Sequence, residues 1–177
     1  MPLPTGLYSA AQVRALDAYA IDQLGVPGYT LMKRAGEAAL RYLRSRWPTA
    51  YRIVIVCGSG NNGGDGYVLA RFAQAAGLTV TALSATPTSA LKGDALLAYN
   101  DCVTSGARIQ PFAAELLKEG ELVVDALLGT GLRSGVRDEL LPVNGFEALG
   151  FGFKGTKLFN QTDLMIEARR NWNREVD

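Results

Sequence analysis

The stretch Arg52-Ile53-Val54-Ile55-Val56-Cys57-Gly58-Ser59-Gly60-Asn61-Asn62-Gly63-Gly64-Asp65-Gly66 decides the fold. Arg52 to Cys57 is a β-branched, almost wholly apolar run, the pattern of a strand covered on both faces. The glycine turn Gly58 to Gly66 leads into Val68, Leu69, Phe72, Ala73 and Ala76 at helical spacing, and Gly77 stops that helix. Leu78 to Leu83 reads as the next strand. Strand, glycine turn, helix and strand together make a βαβ crossover, which predicts parallel pairing.

Upstream, Ser9 and Gln12 form a capping-box pattern, and Val13, Leu16, Ala20 and Leu24 follow at helical spacing. This predicts a first helix over about residues 9 to 24. Pro27 and Gly28 break it, and a second apolar series runs through Leu31, Ala35, Ala39, Tyr42 and Leu43 until Pro48. Downstream come a helix from Leu91 to Ser105, a weak strand at Ala107 to Pro111, and a short helix over Ala114 to Lys118. A second buried-strand run, Leu122 to Leu128, ends in Gly129-Thr130-Gly131. The alternation predicts an α/β fold: a three-layer αβα sandwich with a Rossmann-like, doubly wound, mainly parallel sheet and two leading helices. From about residue 139 glycines and phenylalanines interleave without a clear period. Leu164, Ala168, Trp172 and Val176 then predict a terminal amphipathic helix. Residues 1–138 are read as the domain proper, and 139–177 as a tail that completes or caps it.

At 177 residues and 48% hydrophobic content, the chain suits one domain with a full core. Eighteen basic and seventeen acidic residues leave a net charge of +1, which gives no bulk attraction to nucleic acid or an anionic membrane. Cys57 and Cys102 lack the spacing of a zinc site, and the reading is a reduced, intracellular chain. The start has neither a basic segment nor a long apolar stretch, and no later segment approaches the roughly 18 apolar residues of a membrane span. A cytoplasmic location is expected. The sequence holds no histidine, which excludes Ser-His-Asp and Cys-His catalysis and HExxH zinc chemistry. Acid-base work therefore falls to Asp, Glu, Lys, Tyr or Cys.

A glycine turn that opens a helix after a buried strand presents unpaired backbone N–H groups and the positive end of the helix dipole, and so can hold a phosphate. Gly58 to Gly63 matches GxGxxG, yet the acid that holds a ribose about 20 residues later in dehydrogenases is missing. Between Asp65 and Asp94 there is no acidic residue, which disfavours an ordinary nicotinamide dehydrogenase. GxxxxGK[ST] is also missing, against an ordinary triphosphate hydrolase. The plain alternative, a turn that only packs a helix on a strand, stands beside the phosphate reading. Asp125 sits within an apolar strand, and a buried carboxylate needs a cation, a metal or strong hydrogen bonds. Either it accepts backbone N–H groups, or it joins Asn61 and Asn62 as oxygen ligands of a hard cation.

Three stretches resemble the NAD(P)HX epimerase family, also called the YjeF N-terminal domain: Leu31-Met32-Lys33-Arg34-Ala35-Gly36, Cys57 to Gly66, and Val124-Asp125-Ala126-Leu127-Leu128-Gly129-Thr130-Gly131-Leu132. The resemblance covers residues 7 to about 138. It implies interconversion of the R and S forms of hydrated NADH or NADPH, a repair step that feeds a dehydratase, with a potassium ion in the site. It further implies that Asn61, Asn62, Gly63, Gly64 and Asp65 bind substrate. Asn62 and Asp125 would be the potassium ligands. Gly129, Thr130, Gly131, Leu132, Arg133, Ser134 and Gly135 would hold the phosphates.

After Asp138 the chain departs from the family, which continues to a VDIPSG-like motif carrying an aspartate for the substrate and a serine for potassium. That string is missing here, so the catalytic carboxylate is not identified; Asp138 and Glu147 are the nearest acids. The alternatives are a catalytically silent binding or assembly module of the same fold and, more remotely, a small-molecule kinase. The two leading helices suggest a homodimer through an apolar face.

Overall fold

The computed structural model describes residues 9–129 and strand residues 157–160. Ser9 caps helix α1 (Ala10–Asp22). Its Oγ accepts from the Gln12 amide at 3.3 Å, while Gln12 Oε1 accepts from the Ser9 amide at 2.8 Å. Helix α2 (Gly28–Arg46) begins directly after Pro27 and carries Arg44 and Arg46 in its last turn, beside the negative end of its dipole. There follow strand β1 (Arg52–Cys57), helix α3 (Asn61–Ala75), strand β2 (Thr79–Ser84), helix α4 (Gly93–Thr104), strand β3 (Arg108–Pro111), a 3-10 segment (Ala114–Glu119), strand β4 (Leu122–Ala126) and strand β5 (Lys157–Asn160).

The sheet runs β3-β2-β1-β4-β5, with every neighbouring pair parallel. The chain steps outward from β1 to β3, then returns across β1 to lay down β4. Because parallel crossovers are right-handed, reversing direction moves the connection to the opposite face. The side chains follow this rule. Ile53, Ile55, Cys57, Val80, Ala82, Leu122, Val124 and Ala126 pack in one core with residues of α2, α3 and α4. Val54, Val56, Leu83, Val123 and Leu127 form the other core, with Leu117 of the 3-10 segment. The expected Rossmann-like α/β sheet is present, and among the described residues its second face is covered by that 3-10 segment.

A polar tie joins the three helices of the first face. Asp101 of α4 accepts from the Tyr29 hydroxyl of α2 at 2.5 Å and from Arg71 Nη1 of α3 at 3.0 Å.

One reading of the sequence needs correction here. The tail showed no period, yet Lys157–Asn160 pairs with β4, with Asn160 opposite Asp125. Four residues are too few to display an alternation, so the signal was not available. The helix expected over about residues 9 to 24 is present as α1, ending at Asp22. Val13, Leu16 and Leu24 are 37%, 53% and 63% exposed. The terminal helix expected at Asp163 to Val176 lies outside the described residues. Cys57 and Cys102 are buried and free. Among the described residues no helix is long and apolar enough to cross a membrane.

Candidate functional site

The strand order reverses between β1 and β4, and at such a switch point the two outgoing loops diverge and leave a crevice. Their ends are level, since Cys57 pairs with Ala126. The Gly58 amide donates to the Ala126 carbonyl at 3.1 Å. A side chain at Gly58 would collide with the Leu127 carbonyl, so only glycine lets the two loops run this close.

The turn predicted over Gly58 to Gly66 is shorter than expected: helix α3 already begins at Asn61, with Gly60 as its N-cap. The later glycines do not bend the chain. They seat the first two turns of the helix. A Cβ at Gly63 would strike the Gly58 carbonyl, one at Gly64 would meet Met32 Sδ at 2.7 Å, and one at Gly66 would meet Ala126 Cβ at 2.7 Å and Cys57 Sγ at 2.8 Å. Each glycine gives up about 1 kcal/mol of helix propensity relative to alanine, and close packing on strand and helix offsets it. The Leu31 to Gly36 stretch has its explanation here too. Met32 fills the space above Gly64, and Gly36 lets α2 press on Val68 and the Leu69 amide.

Starting the helix at Asn61 puts its free first-turn N–H groups at the mouth of the crevice. It also directs Asn62 inward. Asn62 is 7% exposed, and among the described residues neither its Oδ1 nor its Nδ2 has a hydrogen-bond partner. Gly129, the first residue of the second loop, lies against it: a Cβ there would be 3.2 Å from Asn62 Cβ. Asp125, 2% exposed, accepts from the Leu127 amide at 2.9 Å through Oδ1. Asp65, one helical turn beyond Asn62, is half-buried. Asn62, Asp65 and Asp125 line one cleft, whose apolar wall is Ala35, Ala39 and Leu43 of α2 and Leu69 of α3.

The sequence reading thus named three residues that meet, Asn62, Asp65 and Asp125, and a fourth, Gly129, that touches the first of them. Asn61 is exposed at the helix start, and Gly63 and Gly64 are buried beneath it. Thr130, Gly131, Leu132, Arg133, Ser134 and Gly135 lie outside the described residues. The α2 wall was missed, because an apolar helix face announces burial and not the cleft it borders. Among the described residues no three of His, Cys, Asp and Glu cluster as a metal site. Asn62 and Asp125 offer oxygen donors only.

Cys57 closes β1 directly before the glycine turn, yet it is fully buried. Desolvation, with a smaller contribution from Cys102, pushes its thiol well above the usual range. Burial likewise raises the Tyr67 hydroxyl, although its hydrogen bond to Ser84 pulls the other way. Both groups stay neutral, and the acidic side chains lining the cleft are Asp65 and Asp125.

Residues 28–144 match the family model described as YjeF-related protein N-terminus. The chain is 50% identical over 133 residues to the bifunctional NAD(P)H-hydrate repair enzyme Nnr of Coxiella burnetii, covering 75% of this chain and 27% of that one. It is 37% identical over 131 residues to the NAD(P)H-hydrate epimerase of Rhodopirellula baltica, covering 71% of this chain and 53% of that one. The chain therefore spans about a quarter to about half the length of these curated relatives. The crystal structure of yeast ynu0 shares the fold, with a TM-score of 0.63 at 19% identity over 79% of this chain and 66% of that one. The glycines that seat α3 on β1, the inward Asn62 and the Asp125 strand end all lie within the matched segment, and the chain belongs to the YjeF-related protein N-terminus family.

Proposed function

We propose that this chain is an NAD(P)H-hydrate epimerase, an isomerase that interconverts the R and S forms of hydrated NADH and NADPH. The observation that carries the reading is Asn62, a buried amide with both polar atoms unpartnered, standing in a cleft with Asp65 and Asp125 and backed by Gly129. A buried unpaired amide is unfavourable, and a bound ligand resolves it. Relatives named as epimerases and as bifunctional repair enzymes match the segment that builds this cleft.

Inversion at the hydrated ring carbon requires the hydroxyl to leave and return, or the ring to open and close. Either route needs a group that takes and returns a proton. Asp65 is a half-buried carboxylate in the cleft lining, and we assign the proton transfer to it. The helix start at Asn61 to Gly64 and the loop Gly129 to Gly135 would hold the phosphates. A potassium ion fits the donor set, since Asn62 Oδ1 and the Asp125 carboxylate are hard oxygen ligands with no Cys or His at hand. When bound, it would supply positive charge next to the polar end of the substrate.

The same reading extends to the protein's surroundings. It acts in the cytoplasm as one domain over residues 1–138, completed by 139–177, with the exposed apolar side of α1 joining a homodimer. Its product feeds an NAD(P)H-hydrate dehydratase. Incubation with the R epimer of NADPH hydrate, with and without potassium, tests the activity by chromatographic epimer ratio. A rate no faster than the spontaneous one sinks the assignment and favours a silent binding module.

A further inference from the structure

The carboxyl end of β2 carries a polar chain that the cleft does not use. Ser84 Oγ donates to the Thr86 carbonyl at 3.0 Å, so the Tyr67 hydroxyl, 2.9 Å away, donates to Ser84 Oγ. Tyr67 is itself held edge-on by Tyr99, with ring centroids 5.3 Å apart. This chain of bonds fixes the backbone at Thr86. The Thr86 side chain is 8% exposed, and among the described residues its Oγ1 has no hydrogen-bond partner. The neighbouring Ala85 amide donates to the Cys57 carbonyl at 2.9 Å, which sets Thr86 about one strand spacing, roughly 5 Å, to the side of the Gly58 turn. Ser84 and Ala85 are only half-buried, so this strand end borders solvent.

In sheets of this topology a dinucleotide lies across the switch point, and its ribose reaches the end of the second strand. A carboxylate there accepts from the ribose 2′-hydroxyl and repels a 2′-phosphate. Here the stretch from Gly66 to Gly93 holds no acid, and Lys92 follows on the same loop. We propose that Thr86 is the specificity-determining residue for the ribose 2′ position. Its neutral hydroxyl bonds a 2′-hydroxyl or a 2′-phosphate oxygen, and so admits both forms of the dinucleotide. The assignment rests on the dinucleotide reading above and adds to it the residue that meets the ribose.

Calorimetric binding of ADP-ribose and of its 2′-phosphate to the full chain tests this independently of turnover. The wild type is expected to bind both within about threefold of each other. Thr86→Asp places a like charge against the phosphate and is expected to weaken the 2′-phosphate form by about tenfold or more, with ADP-ribose changed little. A merely structural Thr86 would lower both equally, and that result overturns the proposal. Thr86→Val, which keeps the shape, is expected to weaken both ligands by about three- to tenfold. Unchanged affinity in Thr86→Val overturns the proposal even where Thr86→Asp does not fold. A wild type that epimerises hydrate but binds neither ADP-ribose form sinks this assignment and leaves the enzyme reading standing. Discriminating binding without epimerisation does the reverse.

Discussion

Gly129 lies against Asn62, close enough that a Cβ on the glycine would come within 3.2 Å of Cβ on the asparagine. The two residues are far apart in sequence, Asn62 in the first turn of the helix after β1 and Gly129 in the loop after β4. Their contact joins the helix-start half of the site to the strand-end half. The amide of Asn62 is left facing a cleft rather than a protein partner.

Asn62→Ala should therefore separate function from stability. The substitution removes two unsatisfied buried polar atoms, so the unfolding free energy should change by no more than about 1 kcal/mol. Affinity for the dinucleotide should fall by about tenfold or more. Denaturant melts paired with calorimetry check both, and a large stability loss would show that the amide has a structural partner.

The glycines of one motif should differ sharply in tolerance. Gly63→Ala drives a methyl group into the Gly58 carbonyl and is expected to destabilise by about 3 kcal/mol. Gly60 has nothing within 4 Å of its Cβ position, and Gly60→Ala should stay within about 1 kcal/mol. Equal losses in thermal or urea denaturation would contradict the seating argument.

Asp65→Asn keeps the size of the side chain and removes its charge. If Asp65 moves the proton, kcat should drop by about a hundredfold or more while KM changes little. A KM effect alone would limit Asp65 to binding.

Thiol burial gives a pH signature. Desolvation pushes Cys102 up to about 11, against an opposing pull from Arg71, and pushes Cys57 well above the usual thiol range. The unfolded chain ionises its thiols at about 8.5. Because the folded values are the raised ones, their contribution to stability is complete below that pH and declines as pH rises toward about 11. Native protein at pH 8 should resist a thiol-titrating disulfide reagent, and both cysteines should react on unfolding. Rapid labelling of the native state would mean that Cys57 is accessible from the crevice.

Much of the fold was legible because buried parallel strands write themselves as β-branched runs. Arg52–Cys57 has the bounds read from sequence, and the observed β4 stops two residues short of its predicted end. The helix start was misplaced for a local reason: glycine weakens the helix signal wherever it appears. Here it is tertiary contact, with Met32, Ala126 and Cys57, that selects both glycine and helix. Lys157–Asn160 left no readable trace, since its place depends on pairing with β4 and not on an alternation of its own.

By itself the sequence determined the βαβ order, the parallel sheet, the loss of histidine chemistry and the identity of the polar residues at two strand ends. Those properties are local, set by periodicity and by residue type. Only the tertiary structure decided which of those residues meet. It brought Asn62 against Gly129, set both in one cleft with Asp65 and Asp125, and closed that cleft with α2. The switch from β1 to β4 makes the first of these contacts between residues more than 60 positions apart, and chain spacing carries no record of such a distance.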